Sequence, residues 1–272
     1  MRAATGRGVR RAGRVGGGDI NEGWMLELDD GTPAFAKTRS DAAAGEYAAE
    51  AAGLGWLAEP GALRIPEVLG VSDQVLVLEW VDEGNRGDAA ALGAGLAGLH
   101  AAGAPEFGAT PTGGPTRIGP LLLPNDPTSD WATFYAERRL RPVLARARLS
   151  PAGVQAVERV CDRLGELAGP PEPPARLHGD LWGGNVLWDR AGAPWLIDPA
   201  AYGGHREVDL AMLQLFGSPG PAFFAAYEER DPLADGHQER TELWQLFPLL
   251  VHAALFGGGY RESATRVAER YG

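Results

Sequence analysis

Cysteine is almost absent from this chain, with Cys161 the only one in 272 residues. That excludes an internal disulfide and a cysteine-built zinc cluster, and it fits a reducing compartment. Long apolar runs are missing as well: no stretch approaches the roughly 20 residues of a bilayer-crossing helix. The start MRAATGRGVRRAGRV lacks the apolar segment of a secretory signal, so the expected location is the cytoplasm with no membrane partner. Positive charge is short too. A net charge of −11 argues against a surface that coats nucleic acid, because such binding draws its affinity from a basic face. The start does hold five arginines in its first 14 residues, but residues 9–15 read better as a strand than as a basic arm. Glycine and proline, 60 residues together, stay below the level of low-complexity disorder, and the length allows a large core in one or two domains.

Lysine is scarcest of all the cations. Of 25 basic side chains, 24 are arginine and one is lysine, Lys37. Where composition favours arginine throughout, a retained lysine marks a site that needs a compact ammonium. Lys37 closes a run that reads as strand 9–15, the glycine loop Gly16, Gly17, Gly18 and Asp19, strand 24–28, a turn at Asp29, Asp30 and Gly31, and strand 33–37. Glycines let backbone amides approach an anion, and a lysine on the adjoining strand reaches the same phosphates.

Ser40 or Asp41 is expected to cap a helix running to about Ala58, with Tyr47, Leu54 and Leu57 on its core stripe. Glu50 falls within that stripe and needs a cation, for which Lys37 is the economical partner; Glu46, one turn earlier, competes for the role. The apolar run 74–81 (QVLVLEWV) reads as a buried strand, and the loop 82–88 after it divides the chain into units 1–81 and 82–272. A literal G-x-G-x-x-G at Gly93, Gly95 and Gly98 lies inside a helix predicted over 89–100, where it serves close packing rather than dinucleotide binding. Residues 104–127 read as loop, 131–148 and 151–167 as helices, and the chain from 221 onward as mostly helical. His100, His237 and His252 lack metal spacing and read as packing or surface groups. FGSPG at 216–220 is not a hydrolase elbow.

The densest chemistry lies in LHGDLWGGNVLWDRAGAPWLID, 177–198. Asp180 and Asn185 are followed by strand 186–188, a turn at 189–192 and strand 194–197. A hairpin brings its ends together, so Asn185 and Asp198 become neighbours, and two oxygen ligands side by side suit Mg²⁺ held with phosphates. Asp180, just before the hairpin, is then placed to accept a proton from a substrate hydroxyl in phosphoryl transfer. The spacing H-x-D-x-x-x-x-N followed by an aspartate is that of a kinase catalytic loop.

With these residues in order, the chain resembles the fructosamine kinase (ketosamine 3-kinase) family, within the protein-kinase-like and aminoglycoside phosphotransferase superfamily. The marks are VGGGDIN, EAAGLGWLAE, LVLEWV, PNDPTSDWATFYAERRL, HGDLWGGN, IDPAAYGGHREVDLAMLQLFG and LLVHAALFGGGY, which span nearly the whole chain. Trp182 within the loop and HREVDLAM after the aspartate are the most specific. The resemblance implies an α+β, two-lobed protein-kinase-like fold, with a small β-rich lobe, a larger mainly helical lobe and ATP between them. It implies Gly16, Gly17, Gly18 and Lys37 on the ATP phosphates, Glu50 holding Lys37, and backbone groups of Glu79 and Val81 at the adenine. Asp180 is then the base, and Asn185 and Asp198 hold Mg²⁺. Trp182, His205, Arg206 and Glu207 border the sugar-amine pocket or brace the loop, and His178 and Asp209 support it. The implied activity is phosphorylation of a sugar hydroxyl at the 3-position of small-molecule ketosamines or ketose-bearing protein lysines, a deglycation. An aminoglycoside or choline kinase is the alternative, sharing the catalytic set but not the tryptophan-bearing loop, and a nucleotide-binding pseudokinase would need that set broken. The segment before the first strand is shortened to about eight residues. The glycine-loop cysteine of some members is absent, which argues against a disulfide-linked dimer; a monomer is expected, with the oligomeric state left open.

Overall fold

A computed structural model describes residues 2–16, 21–85 and 87–272; Gly17, Gly18 and Asp19, assigned above to the phosphate loop, lie outside them. A four-residue helix, α1 (Arg2–Thr5), precedes strands β1 (Val9–Val15), β2 (Glu22–Leu28) and β3 (Pro33–Thr38). Helix α2 (Glu46–Ala58) and strands β4 (Val68–Ser72) and β5 (Val75–Glu79) follow. The five strands form one antiparallel sheet in the order β1-β2-β3-β5-β4, and Lys37 pairs with Leu76 across β3 and β5. Alternation explains the sheet's two sides. Leu26, Leu28, Ala34, Ala36, Val75 and Val77 share one apolar cluster, whereas Leu76 and Leu78 face α2 with Tyr47 and Leu54.

Two readings of this region are corrected. Neither Ser40 nor Asp41 caps α2: Asp41 pairs with Arg39 at 3.1 Å, and the helix starts later, behind Gly45 at φ 76°. A left-handed backbone suits glycine there, and the Glu46 carboxylate accepts the Ala43 N–H in place of a cap. Strand β4 was not foreseen, because VLGVS carries a central glycine and is half-exposed, giving no two-residue alternation.

The helical part is built from α3 (Ala89–Ala101), the short hairpin β6 (Thr116–Ile118) and β7 (Leu121–Leu123), and α4 (Trp131–Phe134). The chain continues through a π-helical turn (Tyr135–Leu140) into α5 (Arg141–Ala147), then α6 (Pro151–Leu167) and β8 (Ala175–Leu177). A 3₁₀ turn (Gly183–Asn185) leads into hairpin β9 (Val186–Trp188) and β10 (Pro194–Leu196). Strand β11 (Tyr202–Gly204) pairs with β8, and α7 (Glu207–Leu215), α8 (Pro221–Arg230), α9 (His237–Phe256) and α10 (Gly259–Tyr271) complete the chain. The expected helix 131–148 is thus interrupted by a π turn, the kind of irregularity that re-aims side chains at working positions. Glycines in α3 do serve packing: a Cβ at Gly93 would lie 2.1 Å from the Phe223 carbonyl oxygen, and one at Gly95 2.4 Å from Leu63. Together the elements make a two-lobed α+β fold. Apolar packing crosses the sequence boundary drawn at residue 82, since Leu57 and Leu63 share a cluster with Leu92, Leu96 and Leu210.

Candidate active site

The site assembles where β3, α2 and the β9–β10 hairpin meet. Lys37, on the central strand β3 and nearly inaccessible, places Nζ 2.8 Å from Glu50 Oε1 and 2.7 Å from Asp198 Oδ1. Burial by itself would lower its pKa, but the two carboxylates outweigh this and hold the ammonium above its ordinary range. Glu46 and Glu50 lie one turn apart on the same face of α2, so the competition is decided by position along the helix: Glu50 stands beside Lys37, whereas Glu46 takes Arg39 at 2.6 Å.

The loop 178–185 is fixed largely by hydrogen bonds to its backbone. The amides of His178 and Gly179 donate to the two oxygens of Asp209, at 2.7 and 3.0 Å. His178 Nε2 lies 2.9 Å from the Ile197 carbonyl, and its Nδ1 receives the Asp180 N–H. Burial pushes the His178 imidazole down against the pull of Asp209, so the neutral ring can donate on one side and accept on the other. Gly179 sits at φ 81°, and a Cβ there would lie 2.2 Å from the Ala200 carbonyl oxygen. His100, read from sequence as a packing group, also belongs to this network: it is buried between Tyr227 and Asp209.

Asn185 Nδ2 donates to the Asp180 carbonyl at 2.8 Å, and its own carbonyl accepts the Ile197 N–H. The β9–β10 hairpin therefore brings Asn185 beside Asp198, as its spacing predicts. Asp198 adopts φ 56°, a left-handed conformation that aspartate tolerates better than most residues. Asp180 is half-buried near two like charges. Desolvation first, then Asp198 and Asp209, push its carboxyl up to about 7.

Two cavities meet at this centre. One of about 510 Å³ is lined by Gly16, Phe35, Glu79, Val81 and Trp182; the other, of about 600 Å³, lies between α2, residues 110–119 and 199–201. Asn21, Lys37, Asp180 and Asp198 line both. Trp182 is 42% exposed, and a Cβ on Gly184 would meet its ring, so the indole lies over that glycine at the cleft mouth.

The segment after β11 departs from the pocket reading. His205 is 3% exposed and stacks on Trp244 with centroids 5.4 Å apart. Arg206 pairs with Glu172 and Asp231 at 2.8 and 2.9 Å. Glu207 accepts from Arg240 and from Trp244 Nε1, both at 2.6 Å. None of the three lines either cleft cavity. They brace the helical part, because a carboxylate buried beside an arginine and an indole is satisfied within the protein and offers nothing to a ligand.

Arg39, Thr116, Arg117 and Leu122 were missed from sequence, and all line the cavity beside α2. Their loop-like surroundings give no periodic signal. Arg39 is held by Asp41 and Glu46, and the π turn supplies the cause of the other three residues' placement: fully buried Arg139 donates to Asn125 Oδ1 at 2.6 Å and to the Pro124 carbonyl. Asn125 in turn donates to Thr116 Oγ1 and the Gly114 carbonyl. This network holds the β6–β7 hairpin against the cleft.

The donor set fits a hard cation, since Asn185 and Asp198 offer an amide and a carboxylate oxygen in one cleft. Among the described residues no group of three or more histidine, cysteine or acidic side chains could hold a metal ion. No helix among them is long and apolar enough to cross a membrane.

Comparisons with known proteins agree with this architecture. A ketosamine-3-kinase of Mus musculus is 32% identical, covering 95% of this chain and 94% of its own. The chloroplastic protein-ribulosamine 3-kinase of Arabidopsis thaliana is 34% identical over 97% of this chain and 83% of its own. A solved Thermobifida fusca structure, provisionally designated a fructosamine-3-kinase, superposes with a TM-score of 0.91 at 46% identity, covering 99% and 96% of the two chains. The family model for fructosamine kinase matches residues 2–271, and the chain belongs to that family.

Proposed function

We propose that this protein is an ATP- and Mg²⁺-dependent kinase that phosphorylates the 3-hydroxyl of ketosamines, whether small molecules or ketose adducts on protein lysines. The observation that carries this reading is the common lining of the two cavities. Asp180, Lys37 and Asp198 stand at the junction of one cavity beside Glu79 and Val81 and another beside α2, as transfer between a nucleotide and an acceptor requires. The names of the relatives supply the acceptor class.

In this reading the adenine lies against the backbone of Glu79 and Val81, and Gly16 and Lys37 face the phosphates. Glu50 keeps the lysine extended. Asn185 and Asp198 would hold the divalent cation, which when bound neutralises phosphate charge. The acceptor oxygen attacks the terminal phosphorus as its proton passes to the Asp180 carboxylate, and the bond to the bridging oxygen breaks, releasing ADP. An acid pushed up to about 7 is well matched to accept that proton near neutral pH. Phosphate on the third sugar carbon makes the adduct prone to elimination, which is the deglycating outcome.

The test is ³¹P NMR of the protein with Mg-ATP and, in parallel, ribulosyl-lysine, an aminoglycoside and choline. A new sugar-phosphate resonance only with ribulosyl-lysine is expected. Transfer only to one of the other acceptors would overturn the substrate class, and nucleotide binding without any transfer would overturn the activity.

A further inference from the structure

The cavity beside α2 contains a cation that the kinase chemistry above does not use. Strands β6 and β7 pair Arg117 with Leu122 and Thr116 with Leu123. Leu121 and Leu123 are buried beneath the hairpin, while Arg117 and Leu122, paired across it, line the cavity together with Thr116 and Ile118. Leu122 is 47% exposed, one of the few large apolar side chains left open to solvent among the described residues.

Every other cation lining that cavity is neutralised. Lys37 holds Glu50 and Asp198, and Arg39 holds Asp41 and Glu46. Arg117, half-buried, has no carboxylate within ion-pair distance among the described residues. Asp180 lines the same space, so a molecule presenting a hydroxyl there extends its remaining atoms along the hairpin. The hairpin is a rigid platform, because the Arg139–Asn125–Thr116 network fixes its base. A partly desolvated guanidinium with free donors is built for a planar anion, which it grips through two parallel hydrogen bonds.

We propose that Arg117 is a specificity residue that binds a carboxylate on the amine half of the acceptor, with Leu122 as the shelf for the intervening carbon chain, so that ketosamines of free amino acids are preferred over adducts lacking that charge. The proposal rests on the ketosamine-kinase reading.

Two acceptors isolate the charge: Nα-acetyl-Nε-ribulosyl-lysine and its carboxamide, each assayed with wild type, Arg117→Ala and Arg117→Lys. The expected result is a wild-type kcat/KM about tenfold or more higher for the acid. In Arg117→Ala the preference collapses toward unity through KM for the acid, and Arg117→Lys restores part of it, which separates lost recognition from lost folding. Equal kcat/KM for both acceptors in the wild type, or a preference surviving in Arg117→Ala, overturns the proposal while leaving the kinase reading intact. A kcat loss in Arg117→Ala that is the same for both acceptors also overturns it, by assigning the guanidinium to the transferring phosphate. No turnover of either acceptor by the wild type would overturn both readings.

Discussion

Lys37 and Asp198 are 2.7 Å apart, although one lies in the five-stranded sheet and the other follows the β9–β10 hairpin. Glu50 completes the arrangement from α2. One ammonium thus ties three separate pieces of chain together, and the half-buried Glu50 carboxylate depends on it for compensation.

Replacing that ammonium removes both bonds. Lys37→Met is expected to lower kcat/KM at least about 100-fold and to destabilise the fold by about 2 kcal/mol, since the half-buried Glu50 carboxylate is left without its cation. Lys37→Arg does not rescue activity, because the planar fork is too wide for the space filled by a compact ammonium. Steady-state kinetics and urea unfolding of both variants check this.

Asp180→Asn separates catalysis from stability. Turnover is expected to fall about 10²- to 10⁴-fold while ATP still protects against thermal unfolding. Burial, with Asp198 nearby, pushes the Asp180 carboxyl up to about 7 from its ordinary 3.8, so the native state holds the proton more tightly than the unfolded chain. Ionising this group therefore costs stability, and the cost grows as pH rises from about 4 to 7. Without nucleotide, Asp180→Asn should melt a few degrees above the wild type at pH 8, with the gap closing toward pH 4. An unchanged or lower melting temperature at pH 8 would contradict the raised pKa.

The same group sets a pH profile. Wild-type kcat/KM should rise through an inflection near pH 7 as the Asp180 carboxylate forms. A profile flat from pH 5.5 to 8 would remove Asp180 from the role of base.

Asp209 accepts from the two loop amides of His178 and Gly179. Asp209→Ala is expected to cost about 3 kcal/mol, from unsatisfied buried donors and lost packing, and to lower kcat in the fraction that remains folded. Denaturant titration with single-turnover kinetics separates the two effects.

Glu207→Gln distinguishes a brace from a pocket wall. Leaving Arg240 buried without its carboxylate should cost about 2–4 kcal/mol, while KM for the ketosamine and kcat per folded molecule stay within about twofold. A selective rise in KM would return Glu207 to the acceptor site.

What the sequence determined by itself was short-range or compositional. The lone lysine stood out by count, and the order of glycine loop, Lys37, Glu50, Asp180, Asn185 and Asp198 follows from local signals. The hairpin's turn residues force Asn185 and Asp198 together, whatever surrounds them. Tertiary structure alone decided the rest. The docking of α2 along the sheet gave Lys37 to Glu50 and left Arg39 to Glu46, one turn earlier on the same helix face. Burial against Arg240 and Trp244 turned Glu207 into a brace, although its segment lies close in sequence to Asp209. Arg117 looked like one arginine among 24 in a loop-rich stretch, and its significance arises only because Arg139 and Asn125, distant by more than a strand, fix its hairpin beside the acid. Spacing along a chain carries hydrogen-bonded neighbours and periodic faces; that Lys37 and Arg39 are paired in the cavity beside α2 while Arg117 has no carboxylate partner among the described residues is decided by packing between segments.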